Sequence, residues 1–277
     1  MLDVAAIIVS IISLVTSVLV AVITSWVAYS TNHSNYIRDT EELLRKYRDP
    51  LLLAAQDLQA RLYDILKRDI LSFGKRPSAQ RDSLFIYTTF LVGQYFAGNY
   101  ILRRQTQFKV FTTGKPHSHT KRCVNKIDII TDYLNDSRDE TEAFVLWKDH
   151  QRAIGEVMVT EKGDELLCID FSEFTNRWKD EERQGAEPKH YTQLLVAQDR
   201  DWREANFPLH TWLGAIYKDI KFLVDEPDNN TAAKERLRRF QCYLIDLIEL
   251  LDPEEQALGC TSSRARVLPR NTMTEDV

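Results

Sequence analysis

The chain has 277 residues, a net charge of -5, and only nine glycines and eight prolines. A mildly acidic chain does not match the phosphate backbone, so nucleic acid is not expected as a partner. So few glycines and prolines argue against a large all-β fold. The four cysteines stand far apart and form no CxxC pair, which disfavours a zinc site or a dense disulfide framework. Composition therefore favours a mainly helical protein without a bound metal or cofactor.

Residues 4–29, VAAIIVSIISLVTSVLVAVITSWVAY, carry no charge. About 20 apolar residues cross a bilayer core as a helix, so this run is long enough to span it. Trp26 and Tyr29 lie at its downstream end, where aromatic rings favour the headgroup layer. A signal peptide would begin with basic residues, and none is present here. A soluble core helix would carry a polar stripe and an interfacial helix would carry a stripe of basic residues, and this run has neither. The sequence thus predicts a transmembrane helix, with the lipid bilayer as a partner through residues 4–29.

Basic residues follow this run and none precedes it: Arg38, Arg45, Lys46 and Arg48 come next. Lys and Arg near a span mark the cytoplasmic side. We therefore expect a single-pass membrane protein whose C-terminal domain is cytoplasmic. Its expected parts are an anchor at 1–30, a juxtamembrane helical stalk at 31–49, a cytosolic α-helical domain at 50–253 and a disordered tail at 254–277.

The domain itself is expected to be a mainly α helical bundle with a minor strand or hairpin element. Asp49 and Pro50 form a helix-start signal, N-cap followed by N1, and apolar residues then recur at helical spacing to about residue 71. Ser172 is the expected N-cap of a helix that ends near residue 182. Further helices are predicted at 122–134, 150–158, 190–197, 207–224 and 231–251, with loops at 72–82, 105–120 and 183–188.

Two segments leave alternatives open. Residues 144–147 are either a strand or the start of a helix. After the helix at 150–158, a turn and a strand at 166–170 are predicted, and the alternative is a hairpin that pairs 156–160 with 165–170.

A second uncharged stretch covers residues 84–102, LFIYTTFLVGQYFAGNYIL. It is nearly long enough to cross a membrane, but it contains amides, hydroxyls and two glycines that would need partners in lipid. The sequence favours a central buried helix of the soluble domain. A second or re-entrant membrane segment is the alternative.

Three segments carry a resemblance: YRDPLLLAAQDLQARLYDIL at 47–66, VGQYFAGNYILRR at 92–104 and HQRAIGEVM at 150–158. Together with the anchor, they resemble an uncharacterised family of N-terminally membrane-anchored, mostly helical proteins. The resemblance would cover most of the ordered domain. It implies the same layout, with no activity and no site residue.

No nucleotide-binding, zinc-protease, nucleophile-elbow or kinase signature is present, so whether the chain is an enzyme stays open. The leading hypothesis is a membrane-anchored interaction or regulatory module with a protein partner or a second copy of itself. The alternative is a membrane-bound enzyme or ligand sensor with a polar pocket between segments 84–104 and 148–158. Buried amides and clustered titratable groups can bind a ligand, which gives these candidate ligand-binding residues: Gln94, Asn99, Arg103, Arg104, His150, Arg152 and Glu156.

Overall fold

The computed structural model describes residues 2–68, 70–75, 79–110, 118–138, 142–163, 165–187, 207–226, 230–253 and 267. Side chains are described throughout these ranges except at 2–11, 33–45, 79, 106–110 and 118–121. The elements in chain order are α1 (Leu2–Lys67), a 3-10 helix (Ile70–Lys75), α2 (Ala79–Val110), α3 (Ser118–Asn135), α4 (Lys148–Val157), β1 (Val159–Lys162), β2 (Glu165–Cys168), α5 (Phe171–Arg183), α6 (Pro208–Asp225) and α7 (Thr231–Leu251). The described fold is mainly α with one two-stranded hairpin, as the sequence predicted.

Helix α1 contains a segment long and apolar enough to cross a bilayer, Ile12–Asn32. Every side chain of this segment is exposed. The Thr16 hydroxyl donates to the carbonyl oxygen of Ile12 at 2.8 Å, and Ser17 and Thr24 make the same bond four residues back. These hydroxyls are therefore satisfied within the helix, which is the requirement for polar groups in lipid. Among the described residues, no other helix meets both criteria.

Helix α1 continues through Pro50 into the folded domain. Proline removes the N–H that would bond to the carbonyl oxygen of Lys46, at a cost of about 3 kcal/mol in a helix interior. The predicted new helix start at Asp49 is therefore wrong. Asp49 is exposed, and its carboxylate accepts a hydrogen bond from Nε of Arg48. Burial downstream, which begins with the fully buried Leu51, offsets the cost of the proline.

Helix α2 lies at the centre of the domain and packs against α1, α4 and α6. Phe85, Leu91 and Tyr95 on its uncharged stretch are each 2% exposed or less. The predicted core position of residues 84–102 is thus confirmed. The helix is longer than predicted, and its first turns overlap the predicted loop at 72–82. The uncharged stretch shows only which part of the helix is buried, and the helix continues beyond it at both ends.

The remaining helices surround α2. Helix α7 has the predicted bounds and packs against α1 and α3, while α6 packs against α4 and α5. Helices α3 and α6 begin and end within a few residues of their predicted bounds.

The connection at 142–147 is not a strand and leads into α4, whose N-cap is Trp147. Phe144 adopts the left-handed conformation, with φ of 60°. Its N–H donates to Oδ2 of the buried Asp219 at 2.7 Å, and its carbonyl oxygen accepts from Nε of Arg236 at 3.1 Å. Arg236 Nη2 also donates to the carbonyl oxygens of Tyr133 and Leu134, both at 3.0 Å. Contacts distant in sequence therefore fix this segment, and local patterning could not show them.

The helix and the hairpin weighed as alternatives both form. Helix α4 ends at Val157, and β1 pairs antiparallel with β2, with Val159 opposite Cys168 and Lys162 opposite Glu165. The N-cap of α5 is Asp170, whose carboxylate accepts from the N–H of Glu173, so the predicted cap at Ser172 is wrong. Asp and Ser are both good caps, and the sequence did not distinguish them.

The predicted helix at 190–197 lies outside the described residues, as does almost all of the predicted tail. Val267 is the described residue of that tail. It is 1% exposed, and its N–H donates to Oε1 of Gln241 on α7 at 3.0 Å. At this residue the chain packs against the domain, which differs from the expected disorder.

Candidate functional site

A groove of about 920 Å³ lies where helix α1 joins the domain. Its walls come from residues 46–50 and 52–53 of α1, from Gln94, Gly98 and Ile101 of α2, from all four residues of β2, and from residues 251–253 at the end of α7. This volume is in the range of pockets that hold drug-sized ligands. The groove brings together four elements that are distant in sequence.

The groove has a partly apolar lining that solvent reaches. Leu53 of α1 is 44% exposed and Leu167 of β2 is 41% exposed, although both are large apolar side chains. Leu52 and Leu166 line the same groove and are buried. Apolar side chains that line a concave surface mark a binding site more often than isolated exposed ones do.

An ion pair crosses from helix α1 to the hairpin at the rim. Lys46 Nζ lies 2.6 Å from Oε1 of Glu165, and both side chains are about half exposed. This hydrogen bond raises the pKa of Lys46 and lowers the pKa of Glu165. Exposed pairs contribute little to stability, so the pair mainly defines the edge of the groove.

Gln94 supplies an unpaired acceptor in the groove wall. Its Oε1 is buried and accepts no hydrogen bond from any described residue. Such an atom costs about 1–3 kcal/mol when no donor pairs with it. Cys168 also lines the groove, but burial raises its pKa to about 12, so at neutral pH its thiol is protonated and unreactive.

Of the predicted ligand-binding residues, Gln94 lies in this groove and the other three on α2 do not line it. Asn99 is buried, at 6% exposed. Arg103 is on the surface, where Nη2 donates to Oδ1 of Asp128 at 2.7 Å. Arg104 is exposed, with Nη1 3.4 Å from the Tyr100 hydroxyl.

The predicted residues on α4 also lie elsewhere. His150 is 7% exposed and packs edge-to-face on Trp212, with 5.2 Å between ring centroids. Arg152 and Glu156 are exposed. Helices α2 and α4 meet at Gly155, so tightly that the two sets of predicted residues are not joined through a cavity at this contact.

A buried polar cluster joins α5 to the start of α6. The Glu181 carboxylate accepts the N–H groups of Leu209 and His210, and Oε2 lies 2.9 Å from Nδ1 of His210. The His210 ring stacks on Trp178 with 4.0 Å between centroids. This arrangement caps the N-terminus of α6, where a carboxylate is favoured. Sequence reasoning did not identify it, since its members are about thirty residues apart.

Sequence reasoning also missed the groove, apart from Gln94. The one local signal was Pro50, which was interpreted as a helix start and which marks instead the point where α1 passes the groove. Comparisons of the chain with protein-family models, with curated proteins and with solved structures found no match, so the groove has to be interpreted from its own geometry.

Proposed function

We propose that this protein is a single-pass membrane-anchored helical domain that acts as an interaction module and holds a protein partner in the groove at the base of the domain. The observation that carries the proposal is the groove itself. It presents Leu53 and Leu167 to solvent, and it contains a buried acceptor at Gln94 without a donor.

The anchor half of the proposal rests on Ile12–Asn32, an exposed apolar helix segment. In water, so large an apolar surface would drive aggregation, and a bilayer removes it from solvent. The basic residues after the segment favour a cytoplasmic domain.

The height of the groove favours a partner from the aqueous phase. The groove begins at Lys46, fourteen residues after Asn32, which is about 21 Å along the helix axis at 1.5 Å per residue. The headgroup region extends only about 5–8 Å beyond the hydrocarbon core. Lipids of the same bilayer therefore lie below the groove.

Protease protection tests the anchor and its orientation. In sealed, right-side-out vesicles that contain the full-length chain, an epitope after residue 277 should resist added protease until detergent opens the vesicles. Recovery of the chain in a carbonate wash, or cleavage of the epitope in intact vesicles, would contradict the anchor or its orientation respectively.

Site-specific photo-crosslinking tests the interaction. A photoreactive amino acid at position 53 or 167 of the full-length chain, in membranes of its native host, should form an adduct with a protein. The matched control is position 129, where Ile129 on α3 is similarly exposed, at 46%, and lies outside the groove. Equal adducts from all three positions, or none from 53 and 167, would refute a groove-based interaction.

A further inference from the structure

The groove follows the edge of strand β2. All four residues of this strand line it, from Glu165 to Cys168. Successive side chains of a strand point to opposite faces, so a groove over one face would contact alternate residues only. No residue of β1 lines the groove. The groove therefore runs along the edge of β2 that faces away from β1.

The register shows which backbone groups point into this edge. The N–H of Ile169 donates to the carbonyl oxygen of Met158 at 2.9 Å, which makes 158 and 169 a hydrogen-bonded pair. Hydrogen-bonded and non-hydrogen-bonded pairs alternate along an antiparallel ladder. Leu166 and Cys168 therefore direct their N–H and C=O groups away from β1. No described residue bonds to these groups on that side.

The facing wall adds further acceptors. Pro50 has no N–H, so the carbonyl oxygen of Lys46 lacks the usual donor four residues later in the helix. Gln94 Oε1 is the second acceptor. An occupant that presents alternating N–H and C=O groups to the edge of β2 would pair with that edge, and N–H donors on its other side would face the wall that contains these acceptors.

We infer that the groove binds an extended peptide segment of a partner protein, which adds as a strand to the edge of β2 that no described residue pairs with. This inference rests on the proposed function and specifies its ligand. A helix satisfies its backbone internally and cannot pair with Leu166 and Cys168, whereas an extended chain can. At about 3.3 Å per residue, four residues of β2 can pair with a segment of about four or five residues. Apolar side chains at alternate positions of that segment face Leu52, Leu53 and Ile101.

The charges at the rim agree with an uncharged occupant. Lys46 pairs with Glu165 and Arg48 pairs with Asp49, so these four groups cancel one another, and the fifth charged residue of the lining, Asp252, is buried. Affinity is then expected from main-chain hydrogen bonds and apolar contacts, with weak dependence on salt.

The test uses the full-length protein in nanodiscs and a phage-displayed library of random linear seven-residue peptides. Peptides that bind the wild type are counter-selected against Leu167→Asp. The best synthetic peptide is then methylated on one backbone nitrogen at a time. Strand addition predicts that methylation at alternate positions weakens binding about tenfold or more, while the positions between them tolerate it. Leu53→Asp should also weaken binding at least tenfold, and Ile129→Asp should leave it unchanged.

Hydrogen exchange, measured by mass spectrometry with single-residue fragmentation, gives a second readout. The amides of Leu166 and Cys168 should exchange at least tenfold more slowly with the peptide bound, while that of Leu167, already paired to β1, changes little. Loss of affinity at every third or fourth methylated position, or unchanged exchange at Leu166 and Cys168, would overturn strand addition. If no peptide is enriched but photo-crosslinking from position 53 succeeds, strand addition fails and the proposed function stands. If no peptide is enriched and position 53 forms no protein adduct, both strand addition and the proposed function are refuted.

Discussion

The contact between helices α2 and α4 is so close that Gly155→Ala should destabilise the domain. A Cβ at this position would lie 2.6 Å from Cβ of Tyr100 and 2.7 Å from the carbonyl oxygen of Phe96. Non-bonded carbon atoms normally lie about 3.5–4.0 Å apart, so the two helices must separate by roughly 1 Å. Neither obstructing atom can rotate away, because one belongs to the backbone and the other is fixed to it.

The size of the effect follows from two opposing contributions. Overpacking of a core contact costs about 1–3 kcal/mol, and an immovable obstruction places this site near the upper end. Alanine recovers about 1 kcal/mol relative to glycine within a helix. The expected net loss is therefore about 2 kcal/mol of unfolding free energy. For a domain of this size, the melting temperature should fall by about 4–8 °C.

Gly93→Ala is the matched control on the same pair of helices. A Cβ at Gly93 would lie 3.0 Å from Cε and Sδ of Met158, which form the flexible end of a side chain. Met158 can move, so the helix propensity gain should make this variant neutral or slightly more stable.

Both variants are measured as full-length protein in one detergent, by circular dichroism at 222 nm during heating. A Gly155→Ala protein that melts at or above the wild-type temperature would refute the close contact. An equal loss in Gly93→Ala would show that any added volume between α2 and α4 is destabilising, and the argument from immovable atoms would fail.

Three further predictions concern single side chains. Arg236→Met should cost about 3 kcal/mol or more, because three charge-assisted hydrogen bonds are lost, although the carbonyl oxygens of Tyr133 and Leu134 keep the backbone N–H groups of Asp136 and Leu146 as donors; Arg239→Met, on the exposed face of the same helix, should cost under about 0.5 kcal/mol in the same melting assay. Hydrogen bonds from Arg138 hold the pKa of Asp136 at about 2. The ionised Asp136 therefore stabilises the folded state above about pH 4, and this contribution is lost as the pH falls towards 2. NMR titration should show this pKa, and Arg138→Gln should move it towards 3.8. The Cys168 thiol should react with iodoacetamide about tenfold faster per pH unit from pH 8 to 10, and a rate at pH 8 equal to that of free cysteine would contradict its burial.

The helices could be predicted from the sequence because their signal is local. Residues such as Leu237, Phe240 and Leu244 recur at helical spacing, and this periodicity alone gave the bounds of α7. The same holds for the uncharged stretch of α2, whose amides, hydroxyls and glycines favoured a buried core position over a membrane span. The prediction failed where two nearby residues were equally good helix N-caps, as with Asp170 and Ser172 at the start of α5.

The groove and the buried clamps could not be predicted, because each depends on residues that only the fold brings together. Arg236 lies on a helix face that looks polar in sequence, yet it is 1% exposed since its donors bind carbonyl oxygens about a hundred residues away. Gln94 was singled out as a polar residue in an apolar helix, and that reasoning found one wall of the groove. Nothing in the composition of β2 indicates that its second edge has no pairing strand among the described residues.

Helix α1 connects the two halves of the proposed function, since one helix supplies the apolar segment, the wall of the groove and part of the core. In the proposed arrangement, a rigid helix would fix both the height and the rotation of the groove relative to the bilayer, at about 1.5 Å and 100° per residue. Pro50 lies where that helix passes the groove, and it removes one hydrogen bond there without ending the helix. The position of the missing backbone hydrogen bond thus coincides with the proposed binding site. In the proposed arrangement, a ligand that donates to the carbonyl oxygen of Lys46 would replace the hydrogen bond that Pro50 removes from the helix between the anchor and the domain.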